Sequence, residues 1–367
     1  MYYAYFESVL PDRIILKMKV LYGVQATGNG HITRARVMAP ALQQAGVDVD
    51  FLFSGREPGK LFNMEPFGDY RCRRGLTFYM DGSRVDQWKT VTRNAPFRLL
   101  RDIFSLDLSS YDLVITDFEP VSAWAAKLQG VPSVGIAHQY AFLHPLPDSK
   151  SDFLLRNQVR LFAPATKMLG LHWHHFDKQI FPPLIQAPLF EVSEIENKIV
   201  VYLPHDDLEK IGHALSIYPD YDFYIYAAVS EPQELGNLHI RPFCREGFHR
   251  DLASCHGVIC NSGFGLLSEA MQYGKKILSL PQKGQAEQES NAELLSYLGL
   301  GIVVESLDSE QLATWLELPA VEKQSFPDLA TLLAEWIASG CETKVDELVA
   351  TVWDDSKKTA ESSLQLQ

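Results

Sequence analysis

Residues 261–301 read NSGFGLLSEAMQYGKKILSLPQKGQAEQESNAELLSYLGLG, and this stretch decides the fold class. The apolar run GVICNS (257–262) enters it as a strand, a glycine turn follows, and a helix is predicted to Tyr273, with Gly274 behind it. KKILSLP (275–281) reads as the next strand, and a further helix runs from about Ala286 to Leu298. Strands alternating with helices specify a parallel sheet, whose ligands gather outside the carboxyl ends of the strands. The chemistry-bearing residues lie at those ends. Ser262-Gly263-Phe264-Gly265 opens a helix whose free N–H groups and positive dipole end would cradle a diphosphate. Glu269, two turns along that helix, is placed to accept two hydrogen bonds from a ribose diol. Gln285, Glu287 and Gln288 begin the next helix, where amides and a carboxylate suit sugar hydroxyls. A structural loop with a solvent-facing acidic helix explains any one of these features. It does not explain all of them in order on successive strand ends.

The same alternation extends outward. KIVVYLP (198–204), YDFYIYAA (221–228) and HIRPF (239–243) are further strands of the second half. In the first half, KVLYGVQA begins at Lys19 as a buried strand, and Gly28-Asn29-Gly30-His31 follows. Ile32, Ala35, Ala39 and Leu42 then recur at helical spacing up to Gly46, and VDVDFLF (47–53) is a second strand. YDLVIT (111–116) ends at Asp117, a helix covers Val121–Gln129, and VPSVGIA follows Gly130. The proline-rich stretch FDKQIFPPLIQAPLF (176–190) reads as a linker. The fold class is therefore α/β, two doubly wound parallel-sheet domains facing a cleft. Residues 18–182 form the first domain, 183–327 the second, and 328–355 terminal helices. Residues 1–17 are an arm or follow an upstream start, and 356–367 are a polar tail expected to be disordered.

His31 stands at the start of the first helix, whose positive end disfavours imidazolium. A neutral ring facing the cleft can take a proton from a hydroxyl, and Asp117, at the end of another strand in the same sheet, can orient it. The plainer readings are that His31 caps the turn and that Asp117 caps the helix after it. A dinucleotide site is disfavoured, because Thr33 stands where a third glycine is needed and Ser54-Gly55-Arg56 where an acidic ribose ligand would sit.

The chain has 367 residues, 46% of them hydrophobic, and a formal net charge of −13. That length suits two cores, and the acidity argues against nucleic acid as a partner. No run approaches the ~18 apolar residues of a membrane-crossing helix. Five scattered cysteines fit reduced thiols and a cytoplasmic protein. Asp48-Val-Asp50 resembles a metal-binding pair but lies within a strand, and His172-Trp173-His174-His175 lacks ligand spacing, so neither metal nor cofactor is predicted. Arg93, Arg98 and Arg101 interleave with Phe97, Leu99, Leu100, Ile103 and Phe104, as Arg156, Arg160 and Lys167 do with Phe153, Leu154, Leu155, Leu161 and Phe162. Core-facing helices with charged outer sides are the favoured reading, and peripheral docking on a membrane is the lesser one.

The pattern Ser262 to Gly265, Glu269, Pro281, Gln285, Glu287, Gln288, Asn291 and Ala292 is similar to the donor-binding half of family-1 and family-28 glycosyltransferases. Gly28-x-Gly30-His31-x-x-Arg34, the Asp-Phe-Glu-Pro element at 117–120 and His-Trp-His-His-Phe at 172–176 resemble a bacterial and archaeal group of family-1-like proteins. That resemblance covers residues 18 to about 315. It implies a GT-B fold, a nucleoside-diphosphate-sugar donor with UDP favoured, no obligatory metal or cofactor, and inversion at the sugar. Glu269 would hold the ribose, Gly263 to Gly265 the phosphates, and Gln285, Glu287 and Gln288 the sugar. Phe243 would stack near the base. Gly28, Asn29 and Gly30 would form the acceptor-side loop, with His31 as acceptor base or ligand. The acceptor would be lipid-linked or a glycan, as in cell-envelope polysaccharide synthesis. One departure stands out: where the lipid-linked peptidoglycan N-acetylglucosaminyltransferases carry a glycine-rich loop, this chain has His205-Asp206-Asp207. The first-loop motif, Gly28 to Arg34, is also similar to the UDP-sugar hydrolase of pseudaminic acid synthesis, a close rival with water as acceptor. A 2-epimerase lacks a convincing carboxylate set here, and a non-catalytic nucleotide-sugar binder is the non-enzymatic alternative.

Overall fold

The computed structural model of the chain describes residues 17–76, 80–81, 84–85, 96–147, 153–307 and 310–364. The predicted N-terminal arm, apart from Lys17, lies outside the described residues, as does Arg93. The first domain runs β1 (Lys19–Gln25), α1 (Asn29–Gln44), β2 (Asp48–Ser54), β3 (Arg71–Arg73), a short hairpin β4 (Met80–Asp81) and β5 (Arg84–Val85), and α2 (Pro96–Phe104). It continues with β6 (Leu113–Asp117), α3 (Pro120–Gln129), β7 (Ser133–Ala137), α4 (Phe153–Phe162), β8 (Lys167–Leu171) and β9 (Ile180–Phe181). These strands make a seven-stranded sheet in the order β3-β2-β1-β6-β7-β8-β9, and every pair in it is parallel. The central strands are buried on both faces, which is why β1 and β6 read as continuous apolar runs rather than alternating ones.

The second domain repeats the plan. It comprises β10 (Ile195–Tyr202), α5 (Leu208–Ser216), β11 (Asp222–Ala227), β12 (Gln233–Leu235), β13 (Leu238–Pro242), α6 (Arg245–Ser254) and β14 (Cys255–Asn261). Then come α7 (Phe264–Gln272), β15 (Lys276–Leu280), α8 (Ala286–Tyr297), β16 (Ile302–Val303) and α9 (Glu310–Leu316). Its order is β12-β13-β11-β10-β14-β15-β16, with β12 the antiparallel edge. Each sheet therefore has one switch point, between β1 and β6 and between β10 and β14, where consecutive helices leave on opposite faces and a crevice opens.

α10 (Leu329–Ala338) and α11 (Val345–Leu364) return to the first domain. α10 packs on α1, Lys167 Nζ donates to the Cys341 carbonyl at 2.7 Å, and Trp353 Nε1 donates to the Ile180 carbonyl at 2.8 Å. The tail expected to be disordered from residue 356 continues α11 to Leu364. Its Ser, Lys, Ala and Glu contain no glycine or proline to stop propagation. The linker stretch contributes β9, which pairs with β8. Asp207 of the acidic loop caps α5, its carboxylate accepting from Glu209 N at 3.0 Å. The helical reading with a charged outer side fits α4, where Val159 is buried and Leu155 packs inward. It does not fit α2, where Phe97 and Phe104 face solvent.

Candidate active site

The first switch point is built by the element Asp117 to Pro120. Phe118 takes φ 52°, in the left-handed region, and its ring stacks on Phe162 with centroids 4.7 Å apart. That turn aims Asp117 at α1. Glu119 caps α3 by accepting from Val121 N (2.8 Å) and Ser122 N (2.6 Å), and Pro120 follows at the first helical position. α3 starts so close to β1 that any side chain at Gly23 would overlap Ser122 Oγ, only 1.9 Å from where its Cβ would begin.

Asp117 is fully buried and holds two partners from one face of α1. His31 Nδ1 lies 2.7 Å from its Oδ1, and Arg34 donates from Nε to Oδ2 at 2.9 Å and from Nη2 to Oδ1 at 2.6 Å. Burial alone would raise the Asp117 carboxyl, but the charges and hydrogen bonds of Arg34 and His31 outweigh it and hold it below the usual carboxylate range. Arg34 Nη2 is also 2.6 Å from His31 Nδ1. Nδ1 thus lies between a carboxylate and a guanidinium, and the tautomer that donates from Nδ1 to Asp117 leaves Nε2 as the basic nitrogen.

The two glycine loops meet. Gly28 caps α1 and Gly263 caps α7, neither helix has a side-chain cap, and a Cβ on Gly265 would lie 3.9 Å from Gly30 Cα. Two positive helix ends with open N–H groups thus face one another across the cleft. Cations gather beside them. Arg56 donates to Asn29 Oδ1 at 3.0 Å and to the Thr27 carbonyl at 3.2 Å. Arg36 donates to the Phe62 and Asn63 carbonyls and Arg245 to Gln186 Oε1; burial first, and then the charge of Arg245, pushes Arg36 down to about 10. Buried His249 is lowered to about 4 by burial and then by both arginines, and its Nδ1 has no partner among the described residues.

Glu269 lies further along α7. It is buried, and no hydrogen bond holds its carboxylate among the described residues. Burial raises it to about 7, with only the charge of Arg245 acting against the shift. A buried carboxyl in this state is stabilised by any ligand that brings hydroxyl donors.

The remaining predicted residues divide. Glu287 accepts from Gln139 Nε2 at 2.8 Å across the cleft, while Gln285 Oε1, Asn261 Oδ1 and Gln139 Oε1 are buried acceptors without partners among the described residues. Gly28, Asn29 and Gly30 form the loop at the α1 start, and Phe243 is half exposed at the end of β13, 6.0 Å from Tyr202. Three others are engaged elsewhere. Ser262 Oγ lies 2.7 Å from Ser279 Oγ inside the sheet. Gln288 donates to Gln282 Oε1 and accepts from Gln282 N, both at 3.0 Å. Phe264 stacks on His138 at 3.9 Å and 8° and lies against Trp173, so its ring joins the domains. The His172 to Phe176 stretch likewise packs: His172 is buried, and Trp173 Nε1 donates to Ser268 Oγ at 2.8 Å. Asp50 accepts from the Tyr111 hydroxyl at 2.5 Å. Sequence reasoning missed Gln139, Arg36, Arg56 and Arg245. Their only signal was a position just after a strand or on the inner face of α1.

Two doubly wound domains with facing helix N-termini, a histidine bonded to a buried carboxylate on one side and a buried glutamate on the other, fit a GT-B enzyme. Residues 18–319 match the family model described as Glycosyl transferase family 1. The chain belongs to that family and is a glycosyltransferase. No curated protein matches it significantly. Among solved structures it is similar to the spinosyn rhamnosyltransferase SpnG complexed with thymidine diphosphate (16% identity, 88% of this chain and 95% of that one, TM-score 0.57). It is also similar to the glycotransferase of kitacinnamycin (14%, 94% and 99%, TM-score 0.58). A third is UGT89C1 of Arabidopsis thaliana complexed with UDP (15%, 92% and 99%, TM-score 0.53). At these identities the likeness establishes the shared GT-B fold.

Proposed function

We propose that the enzyme transfers a sugar from a nucleoside diphosphate, with UDP favoured, to a hydroxyl of a lipid-linked or glycan acceptor, with inversion and without a metal. The observation that carries this reading is the meeting of two uncapped helix N-termini between His31 and the unpartnered Glu269. Solved structures of the same fold hold UDP or thymidine diphosphate, which supports a nucleoside diphosphate in this cleft. His31 Nε2 takes the acceptor proton as the acceptor oxygen bonds to the anomeric carbon. The bond from that carbon to the phosphate oxygen breaks, and the diphosphate leaves with the electron pair, stabilised by the helix ends, Arg56 and the Arg36–Arg245 pair. Glu269 holds the ribose hydroxyls. Glu287 and the unpartnered amide oxygens of Gln285, Gln139 and Asn261 receive sugar hydroxyls. The free Nε2 would serve water equally well, which is the hydrolase reading.

A thermal-shift panel of UDP, dTDP, GDP and CMP tests the donor. A ligand at 100 times its dissociation constant adds about 2.7 kcal/mol, a shift of several degrees. UDP-sugar consumption with and without added acceptors then separates transfer from hydrolysis. No shift with any nucleotide would remove the donor assignment.

A further inference from the structure

We propose that the outer face of α2, with the arginine-lined cavity beside it, docks the first domain on an anionic lipid surface. α2 has three faces. Ile103 is buried and Leu99 packs inward. Phe97, Leu100 and Phe104, at helical spacing, point outward and are 86%, 47% and 72% exposed. Arg98 and Arg101 lie on the third face. With Arg73, which ends β3, Arg74, which follows it, and Asp102, they line a cavity of about 520 Å³. No ion pair joins any of these four arginines to a carboxylate among the described residues. The apolar face continues onto α3, where Leu128 is half exposed and shares a shallow cavity with Phe104.

Large exposed aromatics grouped on one face mark an interaction surface rather than ordinary solvent exposure. The charge decides which kind. A chain of net charge −13 that gathers four arginines around one carboxylate has, at this place, the sign that attracts anions. A symmetric contact with a second copy would set these arginines against one another. Basic residues beside outward aromatics on one short helix match the boundary between phosphate headgroups and acyl chains: the arginines take headgroup phosphates and the aromatic rings enter beneath them. The acidity of the rest of the chain repels the same surface, so docking would fix a single orientation. β3 ends at the carboxyl edge of the sheet, where the Arg74 carbonyl accepts from Gly55 N at 2.9 Å, so the docked face adjoins the cleft rim.

Sedimentation of the full chain at low salt with vesicles of phosphatidylglycerol and phosphatidylcholine, against phosphatidylcholine alone, tests this. Binding to the anionic vesicles alone is expected, weakening as salt is raised. Exchanging Arg98 and Arg101 together for Gln should reduce partitioning about 30-fold. Phe97→Ser with Phe104→Ser should reduce it comparably, whereas Leu235→Ser, an exposed apolar residue on β12, should not. Each variant is also melted with and without UDP. An unchanged UDP shift shows that fold and donor site are intact, so failure of docking and failure of the donor reading are told apart. Three results would overturn the proposal: sedimentation insensitive to the arginine exchange, an Arg98-dependent thermal shift with inorganic phosphate but no vesicle binding, or concentration-dependent self-association abolished by Phe97→Ser.

Discussion

Two carboxylates sit behind the two glycine loops and are treated in opposite ways. Asp117, behind α1, is buried against Arg34 and His31 and held below the usual carboxylate range by them. Glu269, on α7, is also buried but has no bonded partner among the described residues, and burial raises it to about 7. The sheets have the same plan, both helices start from glycine and the loops nearly touch. A group that must orient a base is satisfied in advance, so its geometry is fixed before any substrate arrives. A group that must recognise a ligand is left unsatisfied, and the fold is weaker for it until the ligand binds.

His31→Ala should have the largest effect on that contrast, lowering kcat by about 10²–10⁴ while leaving UDP affinity in calorimetry unchanged. Normal turnover at saturating donor would remove His31 as base and leave Asp117 a purely structural group. Next is Asp117→Asn, which strands the buried Arg34 charge and should cost about 3–5 kcal/mol in urea unfolding. Glu269→Gln should do the reverse. The Glu269 carboxyl moves from an ordinary 4.5 to about 7 on folding, so its contribution to apo stability is fully present below about pH 4.5 and lost as pH rises through about 7. The Gln variant should therefore gain up to about 3 kcal/mol at pH 8 and show a flatter stability–pH curve, yet bind UDP about 1.5–3 kcal/mol more weakly. Because ribose hydroxyls donate to the ionised form, UDP affinity of the unaltered chain should also rise as pH climbs through about 7. Equal stability of variant and parent at pH 8 would mean that Glu269 is satisfied within the apo fold. Phe243→Ala carries the smallest effect, about 1 kcal/mol in UDP binding, and no change would take Phe243 out of the site.

Much of this was legible in the residue order. Apolar runs broken by glycine placed β1, β2, β6, β7 and the strands of the second sheet, and the motif spacing put Asp117 on a strand end, His31 and Gly263 to Gly265 at the helix starts beyond strand ends, and Glu269 along α7. The reading was less complete for Ser262, Phe264 and Gln288, whose side chains are tied to Ser279, His138 and Gln282. It also took α2 as an ordinary core-facing helix, although its outward stripe is aromatic.

What the sequence by itself determined is local. The period of its apolar residues fixes which segments become strands or helices, and glycine and proline fix where they turn. Those choices depend on hydrogen bonds and burial within a few residues. What only the tertiary structure decided is partnership at long range: Arg34 reaching Asp117 across 83 residues, Gln139 reaching Glu287 across 148, and Glu269 left with no partner. Sheet order and domain closure set those distances; in the proposed mechanism they make one carboxylate an anchor for a base while the other waits for a ligand.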